Sequence, residues 1–312
     1  MKAAIIRDYN TEIEIADIAA PELHDDSVLV AVHAASVNPI DYILQSGAMK
    51  DNIPLEFPHV MGFDVSGEII ALGKDVSGFK VGDAVFARAN QQDAGAIAQI
   101  ARVKADELAL KPVNISHAEA ASVPLAGLTA WQALISKGRL KKGDKVLIHA
   151  GSGGVGTLAI QIAKHFGADV ATTCSPRNAD LVRKLGADTV INYRDQSFED
   201  ELSDYDIVLD MMGGEILNRS FQVLKKGGAL ISIKGQDTDN LAQEHDVRFE
   251  WFFMEPDGAM LADLGKLVED GIVKPVIDKT YPMEATVDAY AYLKDGHAVG
   301  KVVISIPPIE HW

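Results

Sequence analysis

The spacing of hydrophobic residues changes along the chain, and each change predicts a different architecture. Over residues 1 to about 118 the pattern is that of short strands. Glu12-Ile13-Glu14-Ile15 alternates polar and apolar positions, Ser27 to Ala34 is rich in β-branched residues, and Val65 to Leu72 and Asp83 to Ala87 follow. Ser46-Gly47, Leu72-Gly73, Ser77-Gly78 and Val81-Gly82-Asp83 supply the turns between them. Short strands, Gly-rich turns and no long helical period predict an antiparallel, partly closed β-barrel.

From about residue 119 to 254, short apolar runs alternate with helical patterns. Lys145 to Ala150 reads as a buried strand. Thr157 to Phe166 reads as a helix with Ala159, Ile162, Ala163 and Phe166 on one face. Asp169 to Thr173 is the next strand, and Ala179 to Leu185 a helix closed by Gly186. Further strands are expected at Thr189 to Asn192, Asp206 to Leu209 (running on into Asp210), Ala229 to Ile233 and Val247 to Phe253. Six strands with intervening helices or loops predict an α/β domain with a doubly wound parallel sheet. The tail reads helix, strand, helix, strand at Gly258 to Glu269, Lys274 to Tyr281, Met283 to Lys294 and Lys301 to Ile306. It is too short to fold alone, so it is expected to return to the first domain. The division is then 1–118 with 255–312, and an inserted 119–254.

Charge and composition narrow the function. The chain has 29 Lys+Arg against 45 Asp+Glu, a net charge of −16, which argues against a nucleic-acid or anionic-membrane partner. An anionic cofactor is still permitted, because local basic residues decide that. No apolar run approaches the roughly 20 residues that span a bilayer, and Met1 to Asp8 lacks the features of a signal peptide, so a cytoplasmic location is expected. A single cysteine, Cys174, builds neither a disulfide framework nor a structural zinc site, which needs about four ligands.

The strongest local signal is Gly151-Ser152-Gly153-Gly154-Val155-Gly156. Gly151, Gly153 and Gly156 fit G-x-G-x-x-G between an apolar strand and an amphipathic helix, the context in which that spacing binds a dinucleotide. The first glycine permits a tight turn, the second lets a pyrophosphate approach, and the third packs helix against strand. A plain Gly-rich turn is the blander reading. An NAD site usually places an acid about 20 residues on. Here Thr172-Thr173-Cys174-Ser175-Pro176-Arg177-Asn178 contains none. Cys174, Ser175, Arg177 and Asn178 suit a ribose 2′-phosphate instead, with Tyr193 as a further donor, and point to NADPH. Arg177 as an ordinary solvated residue is the alternative.

Together with Ser36-Val37-Asn38-Pro39-Ile40-Asp41, Gly62-Phe63-Asp64-Val65-Ser66-Gly67-Glu68, Phe79-Lys80-Val81-Gly82-Asp83, Pro124-Leu125-Ala126-Gly127-Leu128-Thr129-Ala130 and Gly300-Lys301-Val302-Val303, the loop resembles the quinone oxidoreductase-like branch of the medium-chain dehydrogenase/reductase superfamily. That resemblance covers nearly the whole chain. It implies a GroES-like catalytic domain wrapped around a Rossmann unit, with the active site in the cleft between them. The zinc-dependent members carry Cys, Gly-His-Glu and Cys where this chain has Asn38, Gly62-Phe63-Asp64 and Ala126, so a zinc-independent enzyme is expected. His24, His33, His59 and His117 fit no ligand spacing and read as surface or packing residues.

By the same resemblance, Asn38 is the catalytic candidate beside nicotinamide and substrate, with a strand-end cap as its bland alternative. Thr129, Ile233 and Gly235 belong near the nicotinamide end, and Lys301 to a cofactor phosphate. Phe252 and Phe253 either line the cleft, pair across a homodimer or pack in the core. Ile43 and Met49 replace tyrosines common in bacterial quinone reductases, which makes the pocket more aliphatic. Tyr42 lies next to Ile43, but on a helix that points it elsewhere. The implied activity is NADPH-dependent hydride transfer to a quinone or an α,β-unsaturated carbonyl compound, with the proton coming from solvent. An enoyl or 2-alkenal reductase on the same fold, or an NADPH-binding sensor with little turnover, are the competing readings.

Overall fold

The structure, a computed structural model, describes residues 1–89 and 95–309. The chain forms two compact units, one of residues 1–128, 256–271 and 275–312 and the other of 129–255 and 272–274. The expected boundary at 118/119 falls ten residues earlier, inside a helix whose Ala120 and Ala121 are buried. Ala121 packs there with Ala34 and Val303, which keeps the helix with the first unit.

In chain order the first unit opens with β1 (Lys2–Ile6), β2 (Glu14–Asp17), β3 (Ser27–Val37), helix α1 (Pro39–Gln45), β4 (His59–Val60) and β5 (Asp64–Leu72). It continues with β6 (Ala84–Arg88), β7 (Ile100–Lys104), β8 (Leu108–Leu110), α2 (His117–Ala121) and α3 (Pro124–Trp131). The second unit holds β9 (Lys145–Ile148), α4 (Gly154–His165), β10 (Asp169–Cys174), α5 (Ala179–Lys184), β11 (Thr189–Asn192) and α6 (Phe198–Glu201). After these come β12 (Tyr205–Asp210), α7 (Gly214–Ser220), β13 (Leu224–Ser232), α8 (Leu241–Glu244) and β14 (Arg248–Trp251). The return supplies α9 (Gly258–Glu269), β15 (Ile277–Pro282), α10 (Thr286–Lys294) and β16 (Lys301–Ser305).

In the first unit β15-β16-β3-β5-β6-β8 form one sheet, with β7 also on β3, and β2-β1-β4 form another. The returning β16 pairs antiparallel with β3, Val302 opposite Val37 and Val303 opposite Ser36. That ladder is why the tail belongs here. β3 is buried along most of its length, as its Val- and Ala-rich sequence requires of a central strand. Asp257 caps α9 by accepting from Met260 N at 2.8 Å, and Leu261, Leu264, Gly265 and Val268 form the helix's buried stripe.

Several element bounds differ from the sequence reading, and two of the differences have a clear physical reason. The first alternating segment pairs two residues later, as Glu14–Asp17, because Ile5↔Glu14 and Lys2↔Asp17 set its register on β1. The helix expected from Met283 begins as a 3-10 turn, Met283–Ala285, immediately after Pro282 ends β15.

In the second unit every strand pairing is parallel, in the order β11-β10-β9-β12-β13-β14. β9 is flanked on both sides and its Val146, Leu147 and Ile148 are fully buried. Leu147 shares a core with Ala171, Val208 and Leu230. Truncating Leu147 to Ala leaves a cavity in this central strand and is expected to destabilise the protein by about 2–5 kcal/mol. Urea denaturation checks this through a lower midpoint at unchanged slope.

Candidate functional site

Strand order reverses between β9 and β12, and in parallel sheets ligands bind at the carboxyl ends of the strands at that point. The chain leaves β9 there and enters α4 through residues 149–153. Ala150 sits at φ 51°. A Cβ on Gly151 would lie 1.9 Å from Thr172 Oγ1, and one on Gly156 would lie 2.5 Å from Ala150 O and 2.6 Å from Gly151 Cα. Neither position has room for a side chain. A Cβ on Gly153 would meet only Ala150 O, at 3.3 Å, so this glycine leaves space open to a ligand rather than to the protein. No side chain caps α4 at Gly153. The amides of Gly154, Val155 and Gly156 open the helix without intrahelical acceptors and are suited to an anion.

A buried histidine braces this turn. Ala150 N donates to Thr173 Oγ1 at 3.1 Å, Thr173 Oγ1 lies 3.2 Å from His149 Nδ1, and His149 Nε2 lies 2.9 Å from Ser220 Oγ. Ser220 Oγ donates its one proton to Ile216 O at 2.7 Å. The proton of the imidazole is therefore on Nε2, and Nδ1 accepts from Thr173. Sequence reasoning missed His149, although a histidine at the end of an apolar strand is a visible signal.

The ends of β10 and β11 meet beside the loop, Cys174 opposite Asn192. Asn178 Nδ2 donates to Ser152 Oγ at 2.9 Å, tying the second strand's end to the glycine loop. Ser175 is buried, Arg177 exposed and Tyr193 58% exposed, all on the segments that follow these two strands. Arg194, also exposed, adds a cation that the sequence reading passed over. Cys174 is different. Its thiol is buried and burial raises its pKa, which makes it a packing group.

At the end of β12, fully buried Asp210 accepts from Met212 N, Gly213 N and Ser232 Oγ, the last at 2.7 Å. Ile233 N donates to Asp210 O and Gly235 N to Ser232 Oγ. Asp210 thus organises the loops after β12 and β13 through its carboxylate and its backbone carbonyl, and with them Ile233 and Gly235, two of the three residues predicted near the nicotinamide end. Thr129 is buried in α3. Phe252 is 7% exposed and packs inside, whereas Phe253 is 39% exposed.

In the first unit Asn38 lies between the end of β3 at Val37 and the start of α1 at Pro39. It is not a simple cap: its Nδ2 donates to Asp64 Oδ2 at 2.9 Å and its Oδ1 accepts from Lys301 Nζ. Lys301 Nζ also donates to Val37 O at 3.1 Å and to Asp64 Oδ2 at 3.3 Å. These three acceptors match the three protons of the ammonium. None is left for a cofactor phosphate, the role the resemblance gave it. Lys301 instead fixes the Asn38 amide.

The family model described as Alcohol dehydrogenase GroES-like domain matches residues 24–113, and that described as Zinc-binding dehydrogenase matches residues 185–304. The 2-methylene-furan-3-one reductase of Solanum lycopersicum is 38% identical over 97% of this chain and 79% of that protein. The NADPH-dependent alkenal/one oxidoreductase, chloroplastic, of Arabidopsis thaliana is 37% identical over the same shares. The solved structure of the quinone oxidoreductase from Coxiella burnetii superposes with a TM-score of 0.90 at 35% identity, covering 98% of this chain and 99% of that one. The chain is a medium-chain dehydrogenase/reductase. It belongs to the quinone oxidoreductase-like branch.

The zinc in one of those family descriptions does not fit this medium-chain reductase. Asn38, Phe63 and Ala126 stand at the ligand positions, both polar atoms of the Asn38 amide are engaged, and a lysine ammonium lies against it. A dinucleotide does fit, because the turn that holds Gly153 leaves open the space a pyrophosphate needs. Next to Asn38, burial pushes the Asp41 carboxyl up to about 7 despite hydrogen bonds from Asn38 N and Tyr290 Oη, both 2.8 Å. Its Oδ1 is buried with no partner. Tyr42 packs against the core of the first unit with Lys294 Nζ 5.4 Å from its ring centroid.

Burial holds His59, His117 and His149 of the medium-chain reductase near pH 4, against an ordinary 6.5. On acidification the unfolded chain takes up these protons first. The stability they contribute is therefore complete above about 6.5 and lost as the pH falls toward 4. Asp41 works in the opposite direction, stabilising the fold as the pH falls from about 7 to 3.8. Three histidines outweigh one carboxyl, so the melting temperature is expected to drop between pH 6.5 and 5. His149→Gln should make that decline shallower. Scanning calorimetry of both proteins across this window is the check.

Proposed function

We propose that this chain is an NADPH-dependent oxidoreductase that reduces quinones or α,β-unsaturated carbonyl compounds by hydride transfer. The observation that carries the reading is the corner beside the glycine loop. Ser152 and Asn178 are hydrogen-bonded there, Arg177 and Tyr193 are exposed nearby, and no acid stands where a ribose 2′-hydroxyl would need one. The names of the tomato and Arabidopsis relatives describe reductases of conjugated carbonyls, the second of them NADPH-dependent.

The roles follow from the chain's own groups. The amides of Gly154, Val155 and Gly156 hold the pyrophosphate, and Ser152, Ser175, Arg177, Asn178 and Tyr193 surround the 2′-phosphate. Thr129, Ile233 and Gly235 position the nicotinamide end. NADPH, when bound, supplies the hydride. Lys301 and Asp64 hold the Asn38 amide in one orientation, leaving one N–H on Nδ2 for a substrate carbonyl. Without a Lewis acid at Asn38, Phe63 and Ala126, a plain ketone is a poor acceptor because its alkoxide is unstabilised. A quinone or enone delocalises the incoming charge and takes its proton from solvent. Ile43 and Met49 give the acceptor an aliphatic wall and favour enones over large quinones.

The assembly and compartment belong to the same proposal. β14 is an edge strand with one open side and Trp251 42% exposed, and two such edges pairing would form a homodimer. Among the described residues no helix is long and apolar enough to cross a membrane, and a cytoplasmic location accords with that.

Replacing Arg177 with Ala removes a charge-assisted contact and should weaken NADPH binding about 10- to 100-fold while leaving NADH nearly unchanged. Fluorescence titration with both nucleotides measures this. Equal losses for the two would remove the phosphate-anchor assignment, and failure of NADPH to be oxidised by any quinone or enone would remove the enzymatic one.

A further inference from the structure

Three side chains on the first unit, none of them part of the nucleotide or Asn38 sites, converge at one place. His33, Glu68 and His117 each present a potential ligand atom, and the three atoms lie within 4.8 Å of one another. Local structure explains the convergence. The β3–β5 register jumps between Val32↔Gly67 and Ala34↔Ser66, which leaves His33 as an extra residue in β3. Such a bulge re-aims the side chain it carries. Glu68 and Ser66 are two apart on β5 and share one face. His117 opens α2, which packs on both strands.

The surroundings resemble a prepared ligand set more than a chance surface cluster. His117 Nδ1 is 2.8 Å from Ser66 Oγ, and Ser66 Oγ donates its one proton to Val85 O at 2.9 Å. Nδ1 must therefore carry the imidazole proton and donate it to Ser66, which leaves the lone pair on Nε2. An outer hydrogen bond of this kind fixes the tautomer of a metal-binding histidine. The His33 and His117 rings are stacked at 4.4 Å with planes 11° apart, so the exposed His33 ring must swing out of the stack for both in-plane lone pairs to meet one ion. His33 and Glu68 are exposed, and the chain's net charge of −16 draws cations toward it.

We propose that His33, Glu68 and His117 bind one divalent cation of the zinc class, with water completing its coordination, and that the ion clips β3, β5 and α2 together. Two imidazoles and a carboxylate select zinc, cobalt, nickel or copper over magnesium and calcium, which require mostly oxygen ligands. The site is separate from Asn38, Phe63 and Ala126, where the superfamily's zinc-dependent members bind their catalytic ion.

The untagged full chain, freed of metal by a chelator, is titrated with ZnCl2, CoCl2 and MgCl2 by calorimetry and thermal shift. One equivalent of Zn2+ or Co2+ should bind with micromolar affinity and raise the melting temperature, while Mg2+ does neither. His33→Ala and Glu68→Gln, both exposed and free of core packing, should each weaken binding by at least about tenfold. His24→Ala should leave it unchanged. Absence of saturable Zn2+ binding, or wild-type affinity in His33→Ala, overturns the proposal.

Discussion

The second unit depends on a turn with no space for side chains. Where the chain leaves β9, Gly151 passes against Thr172 and Gly156 against the backbone of Ala150 and Gly151. Any Cβ at these two positions would push strand and helix apart and carry the first turn of α4 away from the end of the sheet. Everything proposed for cofactor binding requires that the amides of Gly154 to Gly156 face outward at the switch point. The His149–Thr173–Ala150 chain of hydrogen bonds supports that turn from inside the sheet, so packing and ligand geometry are coupled at one residue pair.

The first unit is organised around a different constraint, a buried charge pair. Asp64 and Lys301 are almost fully enclosed, and such a pair persists only when hydrogen bonds satisfy what the ion contact does not. Asp64 obtains them from Ser36, Asn38 and the Leu125 amide, and Lys301 from Val37 and Asn38. The result spans β3, β5, β16 and the start of α3, and it fixes a single neutral amide, Asn38. Where zinc-dependent relatives place a cation held by thiolate and imidazole, this chain holds an ammonium. That exchange is the physical basis of the proposed preference for acceptors able to delocalise charge.

Much of this was legible in the sequence because the relevant signals are local. The six strands of the parallel sheet, the helix after the glycine loop and the helix Gly258–Glu269 follow from hydrophobic spacing over a few residues. Boundaries set by pairing were not legible: β2 slides two residues because β1 fixes its register. Roles set by long-range contacts were also hidden. Lys301 lies 263 residues from the Asn38 it fixes. His149 reads as the polar end of a strand until Ser220 is brought beneath it, and Asp210 as a strand-end acid until two loops fold onto it. That His33 and His117 lie side by side was hidden as well, because a bulge in β3 and the packing of α2, not their sequence spacing, bring them together.

The most direct measurement is NADPH binding by the wild type and by Gly153→Ala, read by fluorescence alongside the melting temperature. Gly153 has φ −81°, open to any residue, and its added methyl meets only Ala150 O. The substituted protein should therefore melt within a few degrees of wild type while its NADPH affinity falls by at least about tenfold. Wild-type affinity in Gly153→Ala, or no NADPH binding by the wild type at millimolar concentration, would contradict the account.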